Sequence, residues 1–284
     1  MRRILIPTDF SENAWNAIDY AMQLFRNKRC TFYLLNTYTP VIPSSRFMAN
    51  MAEGVRIVDA VRDESERGLQ RTVERIQRKY GNPNHSFETI SSFNLLVEEV
   101  KDIVDTFGIH LVITGTKGAS GVDEVFMGSN TYKIIKEIDF CPIIAVPEDF
   151  KSDGAIETIL LATGYEHLFE SYELKPLLQI AKLFGSKIKI THVGSLDELT
   201  PEQKTSRNVI KKQLKGVEYD FIGVEKDASI NNTIQKMVER DSAVQMVAMI
   251  NHDRGFFERL TREPVIKKVS FNSRVPFLVI HLFE

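Results

Sequence analysis

Four residues in the last third of the first half have the types and spacing to hold an anion. Gly115, Gly118, Gly128 and Ser129 stand in a G-x2-G-x9-G-S pattern. They follow the apolar run Leu111-Val112-Ile113 and precede a stretch that reads as a helix starting at Ser129. A strand, a glycine loop and a helix N-terminus headed by a hydroxyl together present backbone N–H groups to a phosphate, because the first turn of a helix leaves its donors unsatisfied. Asn130 adds a further polar group to that turn.

The elements that must position this loop alternate. Ile4 to Pro7 reads as a strand, stopping at Thr8-Asp9-Phe10-Ser11, with Ser11 placed to cap a helix over residues 12–27. Thr31 to Tyr38 reads as a second strand and residues 53–79 as an amphipathic helix with a charged, solvated face. Phe87 to Ser91 follows as a strand, Leu95 to Thr106 as a helix, Leu111 to Thr114 as a fully apolar strand and Cys141 to Pro147 as a fifth. After the linker Lys151 to Ala155 the order starts again. Thr158 to Thr163 echoes Ile4 to Thr8, and the closing PFLVIH echoes PIIAVP. The second half is expected to hold helices over 168–184, 201–215 and 230–240 and strands over 187–193, 217–224, 245–250 and 276–282. The fold class is therefore α/β, with two tandem doubly wound domains, residues 1–150 and 155–284, each a mostly parallel five-stranded sheet flanked by helices. In such sheets ligands sit outside the carboxyl ends of the strands, where Thr8-Asp9-Phe10, Asn36-Thr37 and the glycine loop converge.

Composition sets outer limits. The 284 residues are 43% hydrophobic and 26% charged, as in ordinary globular proteins, and the net charge of −2 argues against nucleic acid or an anionic membrane as the main partner. Two distant cysteines, Cys30 and Cys141, suit a reducing compartment, and no stretch approaches the roughly 18 apolar residues of a spanning helix. A cytoplasmic location is expected. Neither a Walker A nor a GxSxG or CxxC pattern occurs.

The complete glycine spacing after strand 4, Asp9 in PTDFS at the end of strand 1, and the closing Cys-Pro-apolar strand together resemble the universal stress proteins. The resemblance covers the first half closely and the second in outline, as in tandem members of that family (adenine nucleotide alpha-hydrolase-like fold). It implies an ATP-binding stress-response or signalling module without strong catalysis, ATP held in the first domain, Mg²⁺ accompanying it. By that resemblance Asp9 would hold the adenosine, the backbone at Thr37 would meet the base, and Thr114 and Gly115 would lie beside the ribose and phosphates. Gly118, Gly128, Ser129 and Asn130 would face the phosphates. It also implies that the two domains pair through their last strands as a pseudo-dimer, with a homodimer as a further step. A slow ATPase using Asp123 or Glu124, and a ligand-free interaction module, are the alternatives.

The second half departs from this pattern. Gly164 stands where Asp9 would be, and Asn251 to Leu260, with Phe256 and Phe257, replaces the glycine loop. The expectation is a degenerate site there, with Arg254, Arg259, Arg262, Lys267 and Lys268 as a solvated basic face.

Overall fold

The computed structural model describes residues 1–39, 51–116, 128–251 and 274–281. Its first half runs β1 (Arg2–Pro7), α1 (Glu12–Leu24), β2 (Cys30–Thr37), α2 (Met51–Tyr80), β3 (His85–Ser92), α3 (Leu96–Phe107), β4 (Leu111–Gly115), α4 (Ser129–Glu137) and β5 (Ile143–Val146). The second runs β6 (Thr158–Ala162), α5 (Lys175–Phe184), β7 (Lys187–Val193), α6 (Pro201–Gln213), β8 (Tyr219–Val224), α7 (Ile230–Arg240), β9 (Val244–Asn251) and β10 (Phe277–His281). Among the described residues the strands form one sheet in the order β3-β2-β1-β4-β5-β10-β9-β6-β7-β8. Each half thus contributes the same five-strand order, and every pairing is parallel except β5 with β10, where Phe277 faces Ala145 and Val279 faces Ile143.

The alternation along the strands explains why both faces are covered. Ile4 and Ile6 point into one apolar layer and Leu5 into the other. The first layer takes side chains from α1, α2, α5 and α6, such as Ala17, Leu69, Leu177 and Ile210. The second takes Val100 of α3, Ile134 of α4 and Ile234 of α7. A sheet buried on both sides requires strands that are apolar at successive positions, and β4 and β6 are buried along their whole lengths.

Two helices differ from the sequence reading. α1 ends at Leu24 rather than near residue 27, where Phe25 takes the C-cap and a turn from Phe25 to Lys28 leads into β2. The helix expected over 168–184 begins only at Lys175, with Pro176 in its first turn. A helix running through residue 176 would lose a backbone hydrogen bond and clash with the preceding turn, costing about 3 kcal/mol, so proline is tolerated at the start and not inside. The preceding segment folds around Glu173, which is buried and accepts from Glu170 N–H at 2.7 Å and from the His167 ring at 3.0 Å.

α2 is fastened to α1 by Asp19. Its carboxylate accepts from Lys79, from the Tyr80 hydroxyl at 2.5 Å and from Gln23 at 2.6 Å. Burial works to raise this carboxyl, but the hydrogen bonds from Lys79 and Tyr80 hold it below the usual carboxylate range.

Candidate functional site

The strand order reverses at β1. The chain steps from β1 to β2 and β3 on one side, then returns to place β4 on the other. Sheets of this order take ligands in the crevice outside the carboxyl ends of the strands at the switch point, here β1 and β4.

On the β1 side the turn into α1 is tied at each residue. Thr8 N–H donates to Leu35 O at 2.8 Å, and Asn36 Nδ2 donates to Thr8 O at 2.7 Å, so the ends of β1 and β2 hold each other. Asp9 Oδ1 accepts from the N–H and hydroxyl of Ser11 at 3.0 and 2.6 Å, while Ser11 Oγ caps α1 by accepting from Ala14 N–H at 3.2 Å. The exposed Asp9 carboxylate thus sits at the positive end of the α1 dipole. Phe10 has a left-handed backbone, φ 65°, and its N–H donates to Thr8 Oγ1 at 3.1 Å. Its ring lies on Gly68 of α2, where a Cβ would come within 2.5 Å of the ring. A side cavity of about 150 Å³ opens next to this corner, walled by Phe10, Ser11, Trp15, Arg71 and Arg75, with the Arg75 guanidinium 3.7 Å above the Trp15 ring.

On the β4 side the strand ends at Gly115. A Cβ there would stand 2.7 Å from Asn13 Nδ2 and 2.8 Å from its Oδ1, so with Asn13 in place only glycine fits. Gly115 O accepts from Thr131 Oγ1 at 2.6 Å, which fixes the first turn of α4 against the strand end. Gly128 N–H donates to Thr116 O at 2.5 Å, and Thr116 N–H to Val146 O at 3.0 Å. Residues 116 and 128 thereby form the neck of the glycine loop. Gly128 is the N-cap of α4 and supplies no side-chain cap to the first-turn N–H groups, at the exposed Ser129 and Asn130, which stand at the positive end of the helix.

Of the residues singled out in the sequence, Asp9, Thr37, Gly115, Gly128, Ser129 and Asn130 all lie at this carboxyl edge. Thr114 is buried one residue earlier, its hydroxyl turned to Gly115 O at 3.3 Å. Gly118, Asp123, Glu124 and the basic and aromatic residues from Arg254 to Lys268 lie outside the described residues. The sequence places Asn36 at the converging loops, whereas Asn13 and Thr131 escape it. Asn36 carries a legible signal, a carboxamide closing an otherwise apolar strand. Asn13 and Thr131 act through contacts distant in sequence and leave no local signature. Neither cysteine has nucleophile character, since burial pushes the Cys30 thiol up to about 11 and the Cys141 thiol up to about 12.

The second half repeats the frame with other contents. Thr163 N–H donates to Thr191 O at 3.0 Å, Tyr165 N–H to Thr163 Oγ1 at 3.0 Å, and the His192 ring meets Thr163 O at 3.2 Å. These reproduce the bonds of Thr8, Phe10 and Asn36. Tyr165 is left-handed as Phe10 is, φ 55°. Register places Met246 opposite Ile159 as Leu111 stands opposite Ile4, so Met249 and Ile250 occupy the places of Thr114 and Gly115. Both are buried.

A doubly wound α/β protein with a glycine-shaped crevice at its topological switch point is the class that this architecture defines. The universal stress protein family model matches residues 1–147, and the chain belongs to the universal stress protein family. Universal stress protein YxiE of Bacillus subtilis is 22% identical over 145 residues, 51% of this chain and 97% of the relative. Universal stress protein MJ0531 of Methanocaldococcus jannaschii is 24% identical over 152 residues, 53% of this chain and 84% of the relative. The crystal structure of a universal stress protein from Archaeoglobus fulgidus superposes with a TM-score of 0.69 at 16% identity, covering 98% of both chains. The likeness of fold thus extends over both halves, two doubly wound units in tandem.

Proposed function

We propose that the first half binds an adenine nucleotide, ATP with Mg²⁺ as its counter-ion, and that the chain works as a nucleotide-responsive binding module and not as a strong catalyst. The carrying observation is the end of β4, where the contact with Asn13 excludes any side chain at Gly115 beside a helix N-terminus that has no side-chain cap. Glycine at that point lets Asn13 pack against the strand end, and the N–H groups of the first turn of α4, at the exposed Ser129 and Asn130, suit phosphate oxygens. Asp9, Thr37, Thr114, Gly118 and Gly128 complete the proposed set. The second half, with Met249 and Ile250 at the matching strand end, is proposed as scaffold. Residues 1–150 and 155–284 are read as its two domains, joined as a pseudo-dimer, and the antiparallel register of β5 with β10 supports that reading. Two unpaired buried thiols favour a cytoplasmic setting.

The test is to denature the purified chain and identify released nucleotide by mass spectrometry, then to titrate the stripped protein with ATP in the presence and absence of Mg²⁺. ATP at 100 times its Kd is expected to add about 2.7 kcal/mol to folding stability. Finding no released adenine nucleotide, together with no calorimetric or thermal response to ATP, sinks the reading.

A further inference from the structure

At the opposite edge of the first half lies a larger concavity, of about 810 Å³, between the carboxyl end of α1 and one face of α5. Its floor is apolar and comes from both halves, Ile4 and Phe25 from the first, Ile180 and Leu183 from the second. The Phe25 and Phe184 rings meet edge-on at 5.7 Å and fasten the two helices beside it. Its size falls in the range of about 300–1,000 Å³ that takes small organic ligands.

Charge distinguishes this cleft from an ordinary packing gap. Arg2, Lys28, Arg29 and Lys182 all line it, and no Asp or Glu is among its lining residues. Elsewhere in the described residues some cations are answered, Lys187 by Glu218 and Asp220, Lys189 by Asp241 and Lys79 by Asp19, and others such as Lys133, Lys211 and Lys212 are not; what sets this cleft apart is that its cations share one concave surface without an acid. Among the described residues these four have no ion pair. In a chain whose net charge is −2, four unanswered cations gathered on one concave surface repel one another until an anion joins them. At the rim burial is the main cause that pushes the His110 imidazole below its usual range, with lesser contributions from Arg3, the amino terminus and Arg2.

We propose that this cleft is a second ligand site, taking a small organic anion, a carboxylate or phosphate monoester, carried on an apolar body. The apolar part lies against Phe25, Ile180 and Leu183, and the anionic head meets the arginines and lysines. The site is separate from the crevice of β1 and β4, because Arg2, Ile4 and Leu111 belong to the amino ends of those strands.

Calorimetry on the full chain tests this with octanoate, octyl phosphate, octanol and acetate. Octanoate or octyl phosphate is expected to bind at least tenfold more tightly than either octanol or acetate, and the ratio of the two anions identifies the preferred head. Equal binding of octanol removes the role of the cations, equal binding of acetate removes that of the floor, and either overturns the proposal. The charge reversal Arg29→Glu with Lys182→Glu, both at exposed positions, is expected to weaken the anion at least tenfold and leave octanol unchanged. Gln179→Trp, also exposed and at the cleft, is a second variant expected to weaken both probes by steric filling. Unchanged anion affinity in a folded variant of either kind overturns the site. So does displacement of octanoate by saturating ATP, which would place the anion in the other crevice.

Discussion

The ends of β1 and β4 and the ends of β6 and β9 share a frame and differ in what fills it. Thr8 and Thr163 make the same backbone bond to the neighbouring strand, Asn36 and His192 reach the same carbonyl, and Phe10 and Tyr165 take the same left-handed turn. That frame is needed to turn the chain from the first strand of each half, whatever the half does. The contents diverge one strand away. The first half ends its strand in a glycine pressed by Asn13, while the second puts the bulky side chains of Met249 and Ile250 at the matching places. The corner residues diverge too: Phe10 is 40% exposed beside a side cavity, whereas Tyr165 is 1% exposed and stacked on His192 with ring centroids 5.4 Å apart. What is held constant belongs to the fold, and what varies is where binding could be gained or lost.

The largest expected effect breaks the packed corner. Tyr165→Ala removes a ring buried on all sides and should cost about 3–5 kcal/mol in chemical denaturation. If the second half is scaffold, ATP affinity measured in native buffer stays within twofold. A large loss of ATP binding with little loss of stability would reverse the roles assigned to the two halves.

Next comes a titration that separates the closing strands. β5 is followed by Pro147, which cannot titrate, while the matching place in β10 is His281, where burial pushes the imidazole down to about 4 despite the Ile135 backbone beside it. The folded state therefore binds this proton less readily than the unfolded chain, whose histidine titrates near 6.5. Stability from the neutral ring is complete above about 6.5 and is lost as pH falls toward about 4, by about 3 kcal/mol at most. Comparing denaturation midpoints of the native chain and His281→Phe between those pH values should show a flatter slope in the variant. Parallel slopes would mean that the ring is not held neutral.

The third prediction imports the second half's residue into the first. Gly115→Ile places a Cβ against Asn13 and a branched side chain at the mouth of the crevice. Overpacking should cost about 1–3 kcal/mol, and ATP affinity should fall at least 100-fold, about 2.7 kcal/mol. Adding Asn13→Ala should recover part of the stability but none of the binding. ATP affinity retained in Gly115→Ile would show that this strand end is not part of a nucleotide site.

The fold was legible in the sequence because the central strands are short apolar runs and most helices carry a one-sided apolar pattern, and both survive burial without help from distant residues. The two ends of the glycine loop, Gly115 closing β4 and Ser129 opening α4, could be seen because glycine and helix-start preferences act over a few neighbouring positions. Pro176 could also have been weighed as the true start of α5, since its effect is local. Other features depend on approaches that no local pattern records. Asn13 forbids a side chain at residue 115 across more than a hundred positions, and Gly68 makes room for a ring from another element. The cluster of Arg2, Lys28, Arg29 and Lys182 is likewise invisible until α5 is laid beside α1.

The smallest effect is the most discriminating, because it asks whether the open corner of the first half is strained. At φ 65° Phe10 carries about 1–2 kcal/mol of backbone cost that glycine does not share. Phe10→Gly recovers this, loses the packing of a half-exposed ring and adds unfolded-state freedom worth about 0.5–1 kcal/mol, so the net change should stay within about 1 kcal/mol. Gly68 supplies the second leg of a cycle. In the native chain Gly68→Ala drives a Cβ to within 2.5 Å of the Phe10 ring and should destabilise. With Phe10→Gly already made, the same change meets no ring and should stabilise α2 by about 0.8–1 kcal/mol, the ordinary preference of a helix for alanine over glycine. A change of sign between the two backgrounds, measured by urea denaturation, fixes the ring on Gly68; the same sign in both would mean that the corner of the first half leaves Phe10 free of α2, and that the contrast with Tyr165 lies only in burial.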